Sequence, residues 1–326
     1  MIYHYVLRLL CLCLASFFLV NTALGLATVW ASQAAVRMAE SMRPRSAARL
    51  LFALRILPFA LGVGMVLVLC VPSYLWLEPK ASSERIGWAC LTIALLGAAD
   101  WLGSIARVTR ALATSRRLNR AWRLAGCETL LPGESSKALV VKNDAPLLTL
   151  AGVYRPRLVL SQSVLLSLSA EELQLALQHE NAHRSSRDNL KRLLLLLAPS
   201  PIPLFPGFTS LDQSWGKLSE WAADDEAVRG NAHRALLLAE ALLRVARMGA
   251  APHLSFLHTS LCADDHDLSA RIDRLLRIEL CPAKTPPRKQ SPTILASFGI
   301  AVCLGFLLAW PTTLSSVHRL LETFLR

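Results

Sequence analysis

The chain has 326 residues, 53% of them hydrophobic and 18% charged, with a formal net charge of +12. Soluble domains usually carry about 45–50% apolar and about 25% charged residues, so this balance points away from a wholly soluble protein and toward a membrane one. The positive charge does not mark a nucleic-acid binder: the basic residues lie beside apolar runs with few aromatics among them, as on cytoplasmic membrane flanks, and no nucleic acid is expected as a partner.

In chain order, residues 6–30 form the first apolar run long enough to cross a bilayer, which takes roughly 20 residues of helix. The run is too long for a signal peptide and lacks the small-residue cleavage pattern. Residues 56–77 and 86–106 are the second and third such runs, and 294–310 the fourth. Lys and Arg in the short loops set the orientation. Arg37, Arg43, Arg45 and Arg49 follow the first span, whereas Lys80 and Arg85 after the second are balanced by Glu78 and Glu84. Arg107, Arg110, Arg116, Arg117, Arg120 and Arg123 follow the third, and Lys284, Arg288 and Lys289 precede the fourth. These flanks agree on one topology. Both termini are expected outside and residues 107–290 in the cytoplasm, in a multi-pass membrane protein. Asp100, about two helical turns before Arg107 in the third span, reads as a paired or interfacial carboxylate.

The cytoplasmic region opens with a basic helical stretch over 107–124. Residues 138–141, 147–151 and 157–160 read as short strands, separated by Asn143-Asp144 and by Gly152 and Pro156. A helix begins near Ser169, because Ser169 followed three residues later by Glu172 makes a capping box. Pro199, Pro201, Pro203 and Pro206 exclude a regular helix over 199–206, and the Leu-rich run at 193–197 is either a buried core turn or a segment dipping into the inner leaflet. Further helices are expected over 211–228, 232–248 and 268–279, before a Pro-rich basic linker at 283–293. The eight cysteines include no CxxC pair, so they read as small buried hydrophobes in a reducing environment.

Chemistry enters on the helix that follows Ser169. His179-Glu180-Asn181-Ala182-His183 places two imidazoles four residues apart, hence on one helix face, where they can grip one metal ion. Imidazole nitrogen suits zinc. Glu180 sits beside the first histidine, where its carboxylate can take a proton from water activated by the metal and pass it to a leaving amine. Glu220, on the helix expected over 211–228, is the candidate third ligand, completing a His₂Glu set with one open position. Asp224, one turn later on the same face, is placed to accept a hydrogen bond from the distal nitrogen of a ligating histidine. No role is assigned to the remaining histidines.

Three stretches resemble the core of the BlaR/MecR-type integral-membrane zinc metallopeptidases. They are Gly152-Val153-Tyr154-Arg155-Pro156-Arg157-Leu158-Val159-Leu160, Leu168-Ser169-Ala170-Glu171-Glu172-Leu173, and 179–188 from His179 to Asp188. The Glu220-to-Asp224 spacing is similar to theirs and to that of the related HtpX and CAAX-endoprotease group. The resemblance makes His179, His183 and Glu220 the ligands of a Zn2+ ion and Glu180 the general base, with Asp188 and Asp224 supporting the ligands. It makes Arg271, in Ala270-Arg271-Ile272-Asp273-Arg274, a candidate stabiliser of the oxyanion. It implies a mostly α membrane protein with about four transmembrane helices and a small α+β zincin-like cytoplasmic protease domain inserted between spans three and four. The expected division is a three-span region at 1–106, the protease domain at 107–282, the linker at 283–293, and the last span with a short tail at 294–326. Sensors of this type carry a penicillin-binding domain after the fourth span, whereas about sixteen residues follow it here, so direct covalent sensing of beta-lactams is not expected. Asn181 is polar where such motifs more often hold an apolar residue.

The expected function is an endopeptidase at the cytoplasmic membrane face, cutting a repressor-like protein in signal transduction. The rivals are a quality-control protease for membrane proteins and a non-catalytic scaffold. The expected partners are a protein substrate and the bilayer, with room for a sensor partner or a homo-oligomer. The strand at 147–151 or at 157–160 is the expected edge for pairing with an extended substrate.

Overall fold

The computed structural model describes residues 2–77, 87–131, 137–142, 145–200, 207–249, 259–260 and 265–280. The expected fourth span and the linker before it lie outside the described residues. Among the described residues, three helices are long and apolar enough to cross a membrane: Tyr5–Glu40, Pro44–Trp76 and Trp88–Ala125. α1 (Ile2–Glu40) turns through Ser41-Met42-Arg43 into α2 (Pro44–Met65), whose first residue is a proline, which suits a helix start because its missing N–H has no partner there anyway. A π-helical turn (Val66–Cys70) and α3 (Val71–Leu77) continue α2. α4 (Trp88–Ala125) follows. Leucines such as Leu7, Leu10, Leu57, Leu61, Leu67, Leu95 and Leu102 are exposed on these helices and make a lipid-facing surface. α1 and α4 approach closely at Gly97, where a Cβ would lie 2.7 Å from the Leu14 carbonyl oxygen. Small residues at such crossings are the usual device of membrane helices.

All three helices are longer than a bilayer requires. A 39-residue helix such as α1 is about 58 Å long, against a hydrocarbon core of about 30 Å. The expected basic helix at 107–124 is therefore no separate element: α4 runs through it without a break. The helix ends on either side of the α1–α2 corner pack against the rest of the molecule, while the corner itself, residues 40–43, is exposed. Ala35, Ala39, Ala47, Ala48 and Leu51 share an apolar cluster with Leu195, Phe208, Leu211, Trp215 and Leu218.

Beyond α4 comes a five-stranded mixed sheet of β1 (Gly126–Thr129), β2 (Ala138–Val141), β3 (Leu148–Ala151), β4 (Arg157–Ser161) and β5 (Thr259–Ser260), in the order β1-β2-β4-β3-β5. β2 and β4 are parallel and the other pairs antiparallel. Alternation along β4 sends Leu158 and Leu160 to one face and Val159 to the other. Both faces are covered, one by the helices that follow and the other by Trp122 of α4, so the three central residues, Leu158, Val159 and Leu160, are all apolar. The pairing corrects one expectation. β4, at 157–160, lies between β2 and β3 and has no free edge for a substrate; the outer side of β3 pairs with Thr259–Ser260 through Thr149 and Leu150.

The helices after the sheet are α5 (Gln162–Ser167), α6 (Ala170–Ser186), α7 (Asp188–Leu197), α8 (Thr209–Val228), α9 (Ala232–Arg247) and α10 (Asp265–Leu280). The expected capping box is present at the start of α6: Ser169 Oγ accepts from the Glu172 N–H and Glu172 accepts from the Ser169 N–H. α6 ends at Arg187, whose left-handed backbone (φ 55°) makes a tight corner directly into α7. The Leu-rich run at 193–197 is the end of that short helix, with Leu195 in the core shared with α1, α2 and α8.

Candidate metal centre

α6 and α8 pack against each other and bring the centre together. Buried alanines on both, Ala176 and Ala182 on α6 and Ala223 and Ala227 on α8, let the helices approach closely. His179 and His183 face α8 from one side of α6, and Glu220 and Asp224, also four residues apart, face back. α7 starts with Asp188 beside His183, a placement set by the tight corner at Arg187. Asn189 fixes that corner to the sheet, its Nδ2 donating to the carbonyls of Leu150 (3.0 Å) and Gly152 (2.8 Å). α10 supplies Arg271.

The hydrogen-bond geometry shows what the cluster can hold. His183 Nδ1 is 2.8 Å from Asp188 Oδ2. His179 Nδ1 is 2.9 Å from Asp224 Oδ1, at hydrogen-bond distance though off the ideal N–H···O direction. A neutral imidazole that turns its Nδ1 proton to a carboxylate presents a bare Nε2 lone pair on its other side. The two Nε2 atoms lie 3.1 Å apart, and 3.4 and 3.5 Å from Glu220 Oε2 and Oε1 respectively. Three electron-pair donors that close repel one another unless a cation lies among them. Tetrahedral zinc, with Zn–N of about 2.0–2.1 Å, places neighbouring ligand atoms roughly 3.3 Å apart. His179, His183 and Glu220 thus fit zinc in chemistry, number and spacing, and among the described residues they form a group whose ligand atoms all lie within 4.8 Å.

Charge around this group favours a cation. Burial opposes a charge on His183, yet Glu220 and the hydrogen bond to Asp188 prevail and push its pKa up to about 10. His179 is raised in the same way, against burial, by Asp224 and Glu220. Burial also opposes charge on Glu220, but His183 and then His179 hold its carboxyl well below the usual range. Asp224 falls to about 2 against burial, chiefly because the Arg271 guanidinium adjoins it. Asp188 is lowered against burial by His183 and then by Lys191, whose Nζ is 2.8 Å away. Glu180 moves the other way: burial pushes it up to about 7, against the pull of the two histidines.

Every residue expected from the sequence lies in this one place. Arg271 is 3% exposed, with Nε and Nη2 donating to the two oxygens of Asp224 at 2.9 and 2.7 Å, and Nη1 3.3 Å from Glu220 Oε2. Arg192, which the motif does not include, reaches to 3.9 Å from Glu220 Oε1. Lys191 was missed in the sequence, although its position three residues after Asp188 on a helix is a signal that could have found it. Asn189 and Arg192 gave no such signal, because their partners come from elsewhere in the chain. His233 is exposed on α9 and does not join the centre. Glu180 is fully buried and Glu220 is 7% exposed.

The model of a family described as BlaR1 peptidase M56 matches residues 60–275, a stretch that contains α6, α8 and Arg271. No curated protein matches the chain.

Proposed function

The chain belongs to the BlaR1 peptidase M56 family, and on that premise we propose that it is a membrane zinc endopeptidase whose metal is held by His179, His183 and Glu220. The observation that carries this reading is the convergence of two Nε2 lone pairs and one carboxylate at the spacing of a tetrahedral ion. Zinc bound there supplies a charge that polarises the scissile carbonyl and acidifies the attacking water. Glu180 would take a proton from the attacking water on its carboxylate as the water oxygen bonds to the scissile carbon, and would deliver it to the nitrogen of the leaving amine as the C–N bond breaks. Asp188 and Asp224 hold the imidazoles in the tautomer that leaves Nε2 bare. Arg271 keeps Asp224 ionised, and its charge, next to the ligand carboxylate, stabilises the oxyanion developing on the substrate.

We assign the protease domain, residues 107–282, to the cytoplasmic side of an inner membrane, between the third span and a fourth at 294–310. Two features support this side. The exposed arginines of α4 beyond the third span belong there by the positive-inside rule. Arg45, in the basic corner after the first span, is 3.2 Å from Glu226 of α8, so that corner and the protease helices lie at the same end of the molecule. The substrate class we infer is a repressor-like cytoplasmic protein, cut in signal transduction, a reading that rests on likeness to the family. The test is to map newly formed protein N-termini in cells carrying the wild type or Glu180→Ala. Cuts in one or a few cytoplasmic DNA-binding regulators, present only with the wild type, are expected. Cuts spread over many membrane proteins would replace the regulatory reading with quality control.

A further inference from the structure

Arg55 lies on α2, within one of the helices able to cross a membrane, yet it is only 5% exposed. An arginine on such a helix usually extends its charged head to water. This one points into protein. Its Nε donates to Asp212 Oδ1 on α8 at 3.1 Å, and its Nη2 reaches the carbonyls of Leu195 (3.4 Å) and Ala198 (3.5 Å) at the end of α7. The guanidinium carbon sits 4.1 Å from the centre of the Phe208 ring. The last carbonyls of a helix have no partner within it, and a cation there is favourable.

We propose that Arg55 is a positioning residue for the metal centre, an inference that rests on the ligand assignment above. Both elements it grips lead to the centre. α7 begins with Asp188, which holds His183, and α8 carries Glu220 eight residues after Asp212, about 12 Å along the helix. Arg192 of α7 ties the same two helices nearer the ligands, between Glu220 at 3.9 Å and the Trp215 ring at 5.8 Å. By pinning α7 and α8 to α2 at one point, Arg55 sets the distance between the imidazoles and the Glu220 carboxylate. Filling the cluster requires no charge, since an apolar side chain of similar size does so without desolvating an ion. A planar group bonded to acceptors on two elements adds what apolar contact lacks, a fixed orientation. Because α2 is a candidate span, its tilt in the bilayer is passed to the centre through this guanidinium.

The test uses the full-length protein in detergent, comparing wild type, Arg55→Lys and the doubly neutral Arg55→Met/Asp212→Asn, which leaves no buried charge unpaired. Zinc affinity is measured by chelator competition, ligand geometry by the visible spectrum of the cobalt(II)-loaded protein, and fold by circular dichroism. The folded double variant is expected to bind zinc about 10- to 100-fold more weakly, the range for groups that orient metal ligands, with an altered cobalt spectrum and a lower kcat at unchanged KM. Arg55→Lys, which keeps the charge but not the planar fork, should fall between. Wild-type affinity and spectrum in the folded double variant would overturn the proposal. If that variant does not fold, Asp212→Asn alone, at a side chain 36% exposed, takes its place with the same two outcomes. Glu220→Gln is run beside them. If it too keeps the wild-type affinity and spectrum, the ligand assignment fails and the role of Arg55 with it; if it loses them while the double variant does not, the role of Arg55 alone fails.

Discussion

Each histidine of the cluster has one nitrogen facing a carboxylate and the other facing Glu220 and the neighbouring histidine, the division that the proposed metal site requires. Asp224 has two neighbours, lying 2.9 Å from His179 Nδ1 and accepting both arms of Arg271. Asp224→Asn removes the charge that both depend on. The variant should fold and bind zinc about 10- to 100-fold more weakly, as chelator competition would show; an unchanged affinity would mean that Asp224 does not act on the ligands. Most of this centre was legible in the sequence. Residues four apart on a helix share a face whatever the tertiary structure, so His179 with His183 and Glu220 with Asp224 could be paired on sight. Arg55 could not be found that way. Its partner Asp212 is 157 residues away, and an arginine near a membrane surface ordinarily needs no partner at all.

At the scale of elements, the clearest consequence concerns the crossing of α1 and α4. A side chain at Gly97 would meet the Leu14 backbone and the Phe18 Cβ, which a helix pair relieves only by moving apart. Gly97→Val is therefore expected to destabilise the protein by about 1–3 kcal/mol, the usual range for overpacking, seen as a lower melting temperature in detergent. An unchanged melt would show that the crossing is looser than described. The start of α6 was legible to the residue because a capping box is a local signal. Strands β2 to β4 were legible from apolar runs between turn residues. β1 was not: Gly126-Cys127-Glu128-Thr129 is short and polar, and it is a strand because the end of α4 delivers it alongside β2. The unbroken α4 was read as two pieces because the apolar run stops near Arg107 while the helix, made of good helix formers, does not.

For the whole molecule, the central question is which side of the membrane the centre faces. Cys127 is exposed on β1, whereas Cys11, Cys70 and Cys90 are buried among the membrane helices. In a variant that keeps Cys127 alone, a membrane-impermeant maleimide should label inside-out vesicles and not intact cells; labelling of intact cells would reverse the topology. The expected orientation rests on the count of arginines near each span and not on how the helices pack. The packing of the ends of α1 and α2 against α7 and α8 was not legible in the sequence, because it depends on contacts between distant segments. The claim on which everything else depends is that this membrane protein is a zinc peptidase. The direct measurement is zinc content and peptide-bond cleavage by the purified full-length protein, wild type beside Glu180→Gln. The expected result is about one zinc per chain in both, with cleavage in the variant reduced about 10²- to 10⁴-fold. A folded wild type that takes up no zinc, or a variant that cleaves at the wild-type rate, would contradict it.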